Sequence, residues 1–191
     1  MGRQKTGDKF GDIRRAAVSE VVECGSASAS VNAIARRANL SVGTIYRYYD
    51  NKDHLLRSVY LAIKTDIHRS MMEAAERATG SKAKIRAIWF ALLEYAHAKP
   101  HDFLFAEVIM NAALLTETEQ AEVDAMSQEA LAHVEAAVED GSIRPGDLRA
   151  ISTLLIAPAL QLGRAAARGG ERPDAARAEE TFNLCWRAIA T

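Results

Sequence analysis

Residues that build reactive or metal-binding sites are scarce in this sequence. Its 191 residues include only two cysteines, Cys24 and Cys185, which lack the paired spacing of a zinc or redox site and stand among apolar neighbours. We therefore expect both thiols to be buried and unreactive. His97 and His101 are four residues apart, but Pro100 lies between them and no glutamate accompanies them as in a zinc-protease helix. With no glycine-rich phosphate loop and no base beside either cysteine, we expect no catalytic site, no metal and no cofactor.

Long hydrophobic runs are also missing. The longest uncharged apolar run, residues 150–163, is shorter than the ~20 residues that a membrane-spanning helix needs, and it contains Pro158. The first 15 residues are charged and lack the apolar stretch of a signal peptide. These features predict a soluble, cytoplasmic protein without a membrane partner.

Apolar and polar residues rarely alternate with the period of two that marks a half-buried strand. Alanine and leucine dominate, and apolar residues recur at intervals of three and four, which predicts an all-α fold. We expect the helix near residues 146–168 to be buried nearly all round. The predicted helices span residues 8–24, 31–38, 42–48, 51–78, 82–98, 101–115, 117–140, 146–168 and 174–190.

The net charge of -1 conceals an uneven distribution. Residues 1–60 carry ten basic side chains against six acidic ones, a net charge of +4, whereas the remainder carries 14 basic against 19 acidic, a net charge of -5. A basic head on an acidic body is expected if only the head meets a polyanion.

Residues 30–49 have the spacing of a helix-turn-helix, because two short predicted helices are separated by a three-residue turn. Ser30 and Ser41 stand where the two helices need N-caps. Asn39 stands in the turn where a positive φ is required, and asparagine tolerates that conformation best after glycine. The local pattern therefore agrees with a compact helical head.

The second of these helices has two different faces when it is drawn at about 100° per residue. Ile45 and Tyr49 point inwards, whereas Gly43, Thr44 and Arg47 point outwards. The glycine lowers helix propensity by up to ~1 kcal/mol, a loss that the close approach of a DNA strand would explain. Because arginine can form two hydrogen bonds with guanine and threonine can contact a base edge, this face is typical of a helix that reads DNA.

The segment IRRAAVSEVVECGSASASVNAIARRANLSVGTIYRYYDNKDHLLRSV, residues 13–59, resembles the DNA-binding domain of the TetR family of transcriptional regulators. The shared features include I-x-x-A-A in the first helix, I-A-x-x-A in the second, and S-x-G-T-I-Y followed by N-K-x-x-L-L. The segment departs from the family at Ser26, which replaces an aromatic residue, at Ala29, which replaces a threonine, and at Asn39, which replaces a glycine. Val42 is apolar where relatives often carry a polar or basic residue.

The resemblance implies which residues contact DNA. Ser30 and Tyr46 would contact phosphates, and Lys52 would anchor the DNA backbone at the start of the fourth helix. The residues implied to line or border the major groove are Val42, Gly43, Thr44, Arg47 and Tyr48.

The resemblance also implies two domains joined by a long helix: a helix-turn-helix DNA-binding domain at residues 1–52 and a helical effector-binding and dimerisation domain at residues 53–191. The helices near 146–168 and 174–190 would form the homodimer interface, with ordinary core packing as the alternative. Aromatic, sulfur-containing and isolated polar residues of the body are candidates for binding a small, mainly apolar molecule. These candidates are Trp89, Phe90, Phe103, Glu107, Met110, Asn111, Met126 and Gln161.

The implied function is that of a homodimeric repressor that a small ligand releases from a palindromic operator in double-stranded DNA. A DNA-binding regulator that has no small-molecule effector, or that acts as an activator, is the alternative reading. A helical enzyme or carrier is the rival from another class, and it would ignore DNA of every sequence.

Overall fold

The structure is a computed structural model, and it describes residues 8–169 and 174–191. The predicted all-α fold is confirmed, and across these two stretches the only strand-like pairing is an isolated bridge between Ile143 and Ala190. The helices are α1 (Lys9–Ser28), α2 (Val31–Arg37), α3 (Val42–Tyr46), α4 (Lys52–Glu76), α5 (Ser81–Ala98), α6 (Pro100–Asn111), α7 (Glu117–Glu139), α8 (Leu148–Gly169) and α9 (Ala175–Ile189).

The predicted helix-turn-helix is present as α2 and α3. The hydroxyls of Ser30 and Ser41 each accept a hydrogen bond from the amide three residues later, at 3.2 and 3.1 Å, and so cap the two helices. Asn39 has a φ of 54°, the left-handed conformation that the turn requires. α3 ends at Tyr46, two residues before its predicted end. Local sequence signals thus determine the turn and both helix starts.

α1 differs from its prediction in two respects. Gly25, where the sequence predicts the end of the helix, does interrupt it with a φ of 80°, but helical hydrogen bonding resumes as far as Ser28. Cys24 is exposed rather than buried, because the buried face of α1 is made by residues such as Val18 and Val21. The expected burial of Cys185 is confirmed.

α4 joins the head, which comprises α1 to α3, to the body, which comprises α5 to α9. It is one continuous helix of 25 residues. Asn51 caps it by accepting a hydrogen bond from the amide of His54 at 2.8 Å. Leu55, Leu56 and Ile63 have no exposed surface, so the helix is packed on both sides of the junction. A continuous helix can carry a displacement from the body to the head.

Ion pairs also connect the head to the body. Arg14 of α1 donates hydrogen bonds to Asp66 of α4 at 2.9 Å and to Asp102 of α6 at 2.6 Å. Burial disfavours the charged guanidinium, but the hydrogen bonds to Asp102 and Asp66 outweigh it and raise the pKa of Arg14. Arg57 of α4 pairs in the same way with Glu119 of α7 at 2.8 Å.

Within the single chain, α8 is not buried all round, so the predicted burial would need a second chain. Leu154 is 44% exposed, and exposed residues recur at intervals of three or four along one face of the helix. This α8 stripe consists of Leu154, Ala157, Gln161, Ala165 and Arg168.

Within the described residues, α8 is also the one helix that is long and apolar enough to cross a membrane by length and composition, and a third of the qualifying stretch is buried in the chain. Length and composition alone do not distinguish a membrane span from a helix that packs against another protein chain. The described residues therefore leave the apolar members of the α8 stripe, Leu154, Ala157 and Ala165, exposed.

Candidate nucleic-acid interface and internal cavity

α3 has the two faces that its sequence predicts. Ile45 is 1% exposed and Tyr49 is 9% exposed, and both belong to the apolar core of the head. Gly43 and Arg47 are exposed on the other side, and Thr44 is partly exposed. The hydroxyl of Thr44 lies 2.8 Å from that of Ser41, which fixes its direction at the start of the helix. The head thus presents the polar face of α3 outwards, while the opposite face packs in the apolar core.

The arginines of the head differ in whether they have partners. Those that pair with carboxylates are Arg14, Arg15 and Arg37. Arg36 and Arg47 are exposed and form no ion pair or hydrogen bond with any described side chain. Arg36 is not among the DNA contacts that the family pattern implies, although its place on α2 beside buried residues 33–35 already indicates an outward side chain. Both arginines are free to contact an external anion.

The packing of the described residues does not require a glycine at position 43. A Cβ added at this position would lie 3.9 Å from the Oγ of Ser41, which is ordinary van der Waals contact. Glycine in a helix is less favourable than alanine by about 1 kcal/mol. Since neither the core nor a neighbouring side chain excludes a methyl group, the described residues give no packing reason for glycine at this position.

Lys52 lies where the family pattern implies a phosphate contact, but its ammonium already has partners in the chain. It donates hydrogen bonds to the carbonyl oxygens of Ser26 and Ala27 at 3.1 and 3.2 Å, and so closes the last turn of α1. An ammonium has three donors, so one N–H is left for a phosphate. Lys52 therefore has a structural role besides its implied one.

The other residues implied to contact DNA are exposed or partly exposed. Tyr46 is 51% exposed, and Tyr48 is 39% exposed and packs edge-on against Phe10, with ring centroids 4.8 Å apart. Ser30 is exposed at the start of α2, and Val42 is partly buried against the core of the head. None of the eight residues implied to contact DNA is buried, so all of them are available to a partner.

The body contains a cavity of about 280 Å³ between α4, α6, α7 and α8. Four of the residues predicted to bind a ligand line it, namely Phe103, Glu107, Met110 and Met126. An adjoining recess of about 610 Å³ shares Met110 with it and opens towards the turn before α7. The carboxylate of Glu107 accepts hydrogen bonds from Arg164, at 2.7 Å from Nη2, so this charge is compensated.

Three other residues predicted to bind a ligand lie elsewhere. Trp89 lies in the core between α5, α8 and α9, where its Nε1 donates to the carbonyl of Leu155 at 2.9 Å. Phe90 stacks under the guanidinium of Arg86 at 4.4 Å from its ring centroid. Gln161 is exposed in the α8 stripe. These residues face away from the cavity, and the side chain of the fourth, Asn111, lies outside the described part of the structure.

Three polar cavity residues on α4 are absent from the sequence-based candidates. They are Tyr60, Lys64 and His68, which follow one another at intervals of four and therefore share one side of the helix. Their spacing is visible in the sequence, but it is also the spacing of ordinary core residues. In the described stretches, no group of three or more histidine, cysteine, aspartate or glutamate residues is placed to hold a metal ion.

Comparison with known proteins agrees with this geometry. The family model of the bacterial regulatory proteins of the TetR family matches residues 13–59, from α1 into α4. An uncharacterised helix-turn-helix transcriptional regulator of Bacillus subtilis (strain 168), YhgD, is 25% identical over 139 residues, which cover 71% of this chain and 72% of that protein. The crystal structure of a TetR family transcription regulator from Marinobacter aquaeolei VT8 superimposes with a TM-score of 0.87 at 25% identity, over 99% of each chain. The family match shows that residues 13–59 form a DNA-binding domain of the TetR type, and the agreement of the whole fold supports a TetR family transcriptional regulator.

Proposed function

We propose that this protein is a homodimeric repressor that reads a palindromic operator through α3 and leaves it when a small, mainly apolar molecule occupies the cavity of the body. The observation that carries the proposal is the outward face of α3, where Gly43 has no internal reason and Arg47 has no internal partner. We propose no catalytic activity, and the cytoplasm is the compartment in which the protein would meet DNA.

Sequence reading is assigned to α3 and its flanks. Arg47 can form two hydrogen bonds with guanine in the major groove, and Thr44 can contact a neighbouring base. Val42 and Tyr48 would border the groove. Phosphates would be held by Ser30, Tyr46, Lys52 and the unpaired Arg36, and by the N-terminus of α4, whose free amides favour an anion. We place the DNA-binding domain at residues 1–52, although the family match extends to residue 59.

The homodimer interface is assigned to α8 and α9. Leu154 in the α8 stripe is 44% exposed, and Leu184 on α9 is 56% exposed, while α8 and α9 pack against each other. Small residues in the stripe, Ala157 and Ala165, would let a second α8 approach closely. Two such helices from each chain make a four-helix interface that covers the apolar surface. A two-fold axis would then present the two heads to half-sites about 34–36 Å apart.

Release by a ligand is assigned to α4 and α6, which line the cavity and also hold the head. Asp66 of α4 and Asp102 of α6 both bind Arg14 of α1. A ligand that binds better when these two helices are differently spaced would shift the head and change its affinity for DNA. The same molecule would bind less tightly to the DNA-bound dimer, because the coupling is reciprocal.

The proposal is tested by selecting random double-stranded DNA with the purified protein at moderate salt and sequencing the bound fraction. We expect a palindrome to be enriched, and we expect Arg47→Ala to weaken binding to it by about 1–3 kcal/mol and to relax the preference at one base of each half-site. Enrichment of no sequence by the wild type, or an unchanged preference in Arg47→Ala, would contradict the assigned reading helix.

The substitution Gly43→Ala separates the stability of α3 from its function. The methyl group has room, so the free energy of unfolding should rise by about 0.5–1 kcal/mol. Affinity for the selected operator should nevertheless fall about tenfold or more, because the methyl group keeps the DNA backbone at a distance. Chemical denaturation and fluorescence anisotropy measure the two quantities.

The matched control for this change is Gly169→Ala, since Gly169 is exposed at the end of α8 and has no atom within 4 Å of an added Cβ. It should leave operator affinity unchanged. If Gly43→Ala binds the operator as tightly as the wild type, the close approach of DNA to α3 is refuted.

The dimer interface is tested by placing charges in its apolar surface. Leu154→Glu and Leu184→Glu should each shift the protein from dimer to monomer at micromolar concentration, because an interface centre does not tolerate an unpaired carboxylate. Sedimentation velocity measures the assembly state. Ala62→Glu, on the exposed side of α4, is the control and should remain dimeric. Dimers that persist in both leucine variants would place the interface elsewhere.

A further inference from the structure

Two polar side chains on the α4 wall of the cavity have no partner among the described residues. Tyr60 and Lys64 lie one turn apart on α4, and both line the cavity of about 280 Å³ and the adjoining recess of about 610 Å³. Neither the hydroxyl of Tyr60 nor the ammonium of Lys64 forms a hydrogen bond or an ion pair with any described residue. The hydroxyl and the ammonium therefore both lie where the cavity and the recess meet, and both are available to form hydrogen bonds with a ligand.

The other charged groups that line the cavity are compensated. His68 contacts the carboxylate of Glu129 at 2.6 Å, and Glu107 is bound by Arg164 at 2.7 Å. Among the described residues that line the 280 Å³ cavity, Lys64 is thus the one charge without a counter-charge. A cation in this position attracts an anion more strongly than it would in water, because the surrounding walls screen it poorly.

The environment of these two groups is apolar. Burial lowers the pKa of the Lys64 ammonium and raises the pKa of the Tyr60 hydroxyl, and in both cases the cause is loss of hydration. An unpaired ammonium held partly out of water reduces stability, and an apolar residue of similar length would avoid that cost. The walls beside it are formed by apolar residues that include Ile67, Met71, Met126, Ile156 and Leu160.

We propose that the effector of this cavity is an amphipathic organic monoanion, with its carboxylate-sized end bound by Lys64 and Tyr60 and its apolar body packed against α7 and α8. The inference rests on the proposed function, because it names the chemistry of the ligand that the same cavity takes. One ammonium and one hydroxyl suit a single negative charge. A dianion would need a second free cation, and the lining residues of the described cavity supply none.

The position of Lys64 also explains how such an anion would act on the head. Lys64 lies two residues before Asp66, so the two side chains leave α4 in nearly opposite directions. Lys64 faces the cavity, whereas Asp66 binds Arg14 of α1 at 2.9 Å. An anion that attracts Lys64 towards the cavity would move this turn of α4. Because Asp66 lies on the same turn, its contact with Arg14 of α1 would move too.

The test is calorimetric titration of the full-length protein, without DNA, with three probes that share one apolar chain: decanoate, decanol and decyltrimethylammonium. The wild type should bind decanoate about tenfold or more tightly than decanol, and the cationic probe least tightly. Lys64→Met should abolish the preference for decanoate while its affinity for decanol stays within about twofold. Tyr60→Phe should reduce the preference by a smaller factor.

Two controls accompany the titration. Lys82→Met removes an exposed lysine of α5 that does not line the cavity, and it should keep the full preference for decanoate. Thermal unfolding of Lys64→Met should occur at the wild-type temperature or above it, because the substitution removes a poorly hydrated charge. A preference lost in a variant that is folded is therefore due to the missing ammonium.

Three results would overturn the proposal: no binding of decanoate, binding of decanoate no tighter than that of decanol, or an unchanged preference for decanoate in Lys64→Met. These results are independent of DNA, so they are separable from the regulatory function. An enriched palindrome together with no preference for decanoate would refute the anionic effector alone. Binding of decanoate through Lys64 together with no enriched DNA would refute the proposed repressor and leave the ligand site standing.

Discussion

The contact of Arg14 with Asp66 and Asp102 determines where the reading head sits relative to the body. The three side chains come from α1, α4 and α6, and 88 residues separate Arg14 from Asp102 along the chain. All three are mostly removed from solvent, so breaking the contact would leave a charge without its hydrogen bonds, at a cost of about 1–3 kcal/mol. Because α4 and α6 also line the cavity, these ion pairs connect the proposed ligand cavity to the helix that supports the proposed DNA-binding surface.

Three features of the chain are unfavourable for the isolated protein, and the partners proposed above would explain them. Gly43 weakens α3 although a methyl group would fit. The α8 stripe exposes Leu154 to water. Lys64 keeps a charge in an apolar cavity without a counter-ion. Departures from what stability alone would select are expected at functional sites. The partners proposed for the three features are DNA, a second copy of the chain and a small anion.

The sequence allows the head to be predicted almost completely, because the signals there are local. The caps at Ser30, Ser41 and Asn51 and the left-handed Asn39 each act within three residues. The body is different. An apolar residue such as Leu154 has the same pattern whether its own core or a second chain covers it. A cavity depends on how distant helices are spaced, so the sequence cannot distinguish Trp89, which fills the core, from Tyr60, which borders a void.

The proposed coupling between body and head is tested most directly by the distance between the two heads of the proposed dimer. Cys24 is exposed on α1 and accepts a spin label, and Cys185→Ala removes the buried second thiol. Pulsed electron paramagnetic resonance then gives the distribution of distances between the two labels. If Arg14 holds the head in place, the labelled Cys185→Ala protein should give one narrow distance. Adding Arg14→Met should broaden or displace the distribution while the dimer persists. Identical distributions in the two proteins would show that Arg14 does not hold the head in place, and would contradict this account.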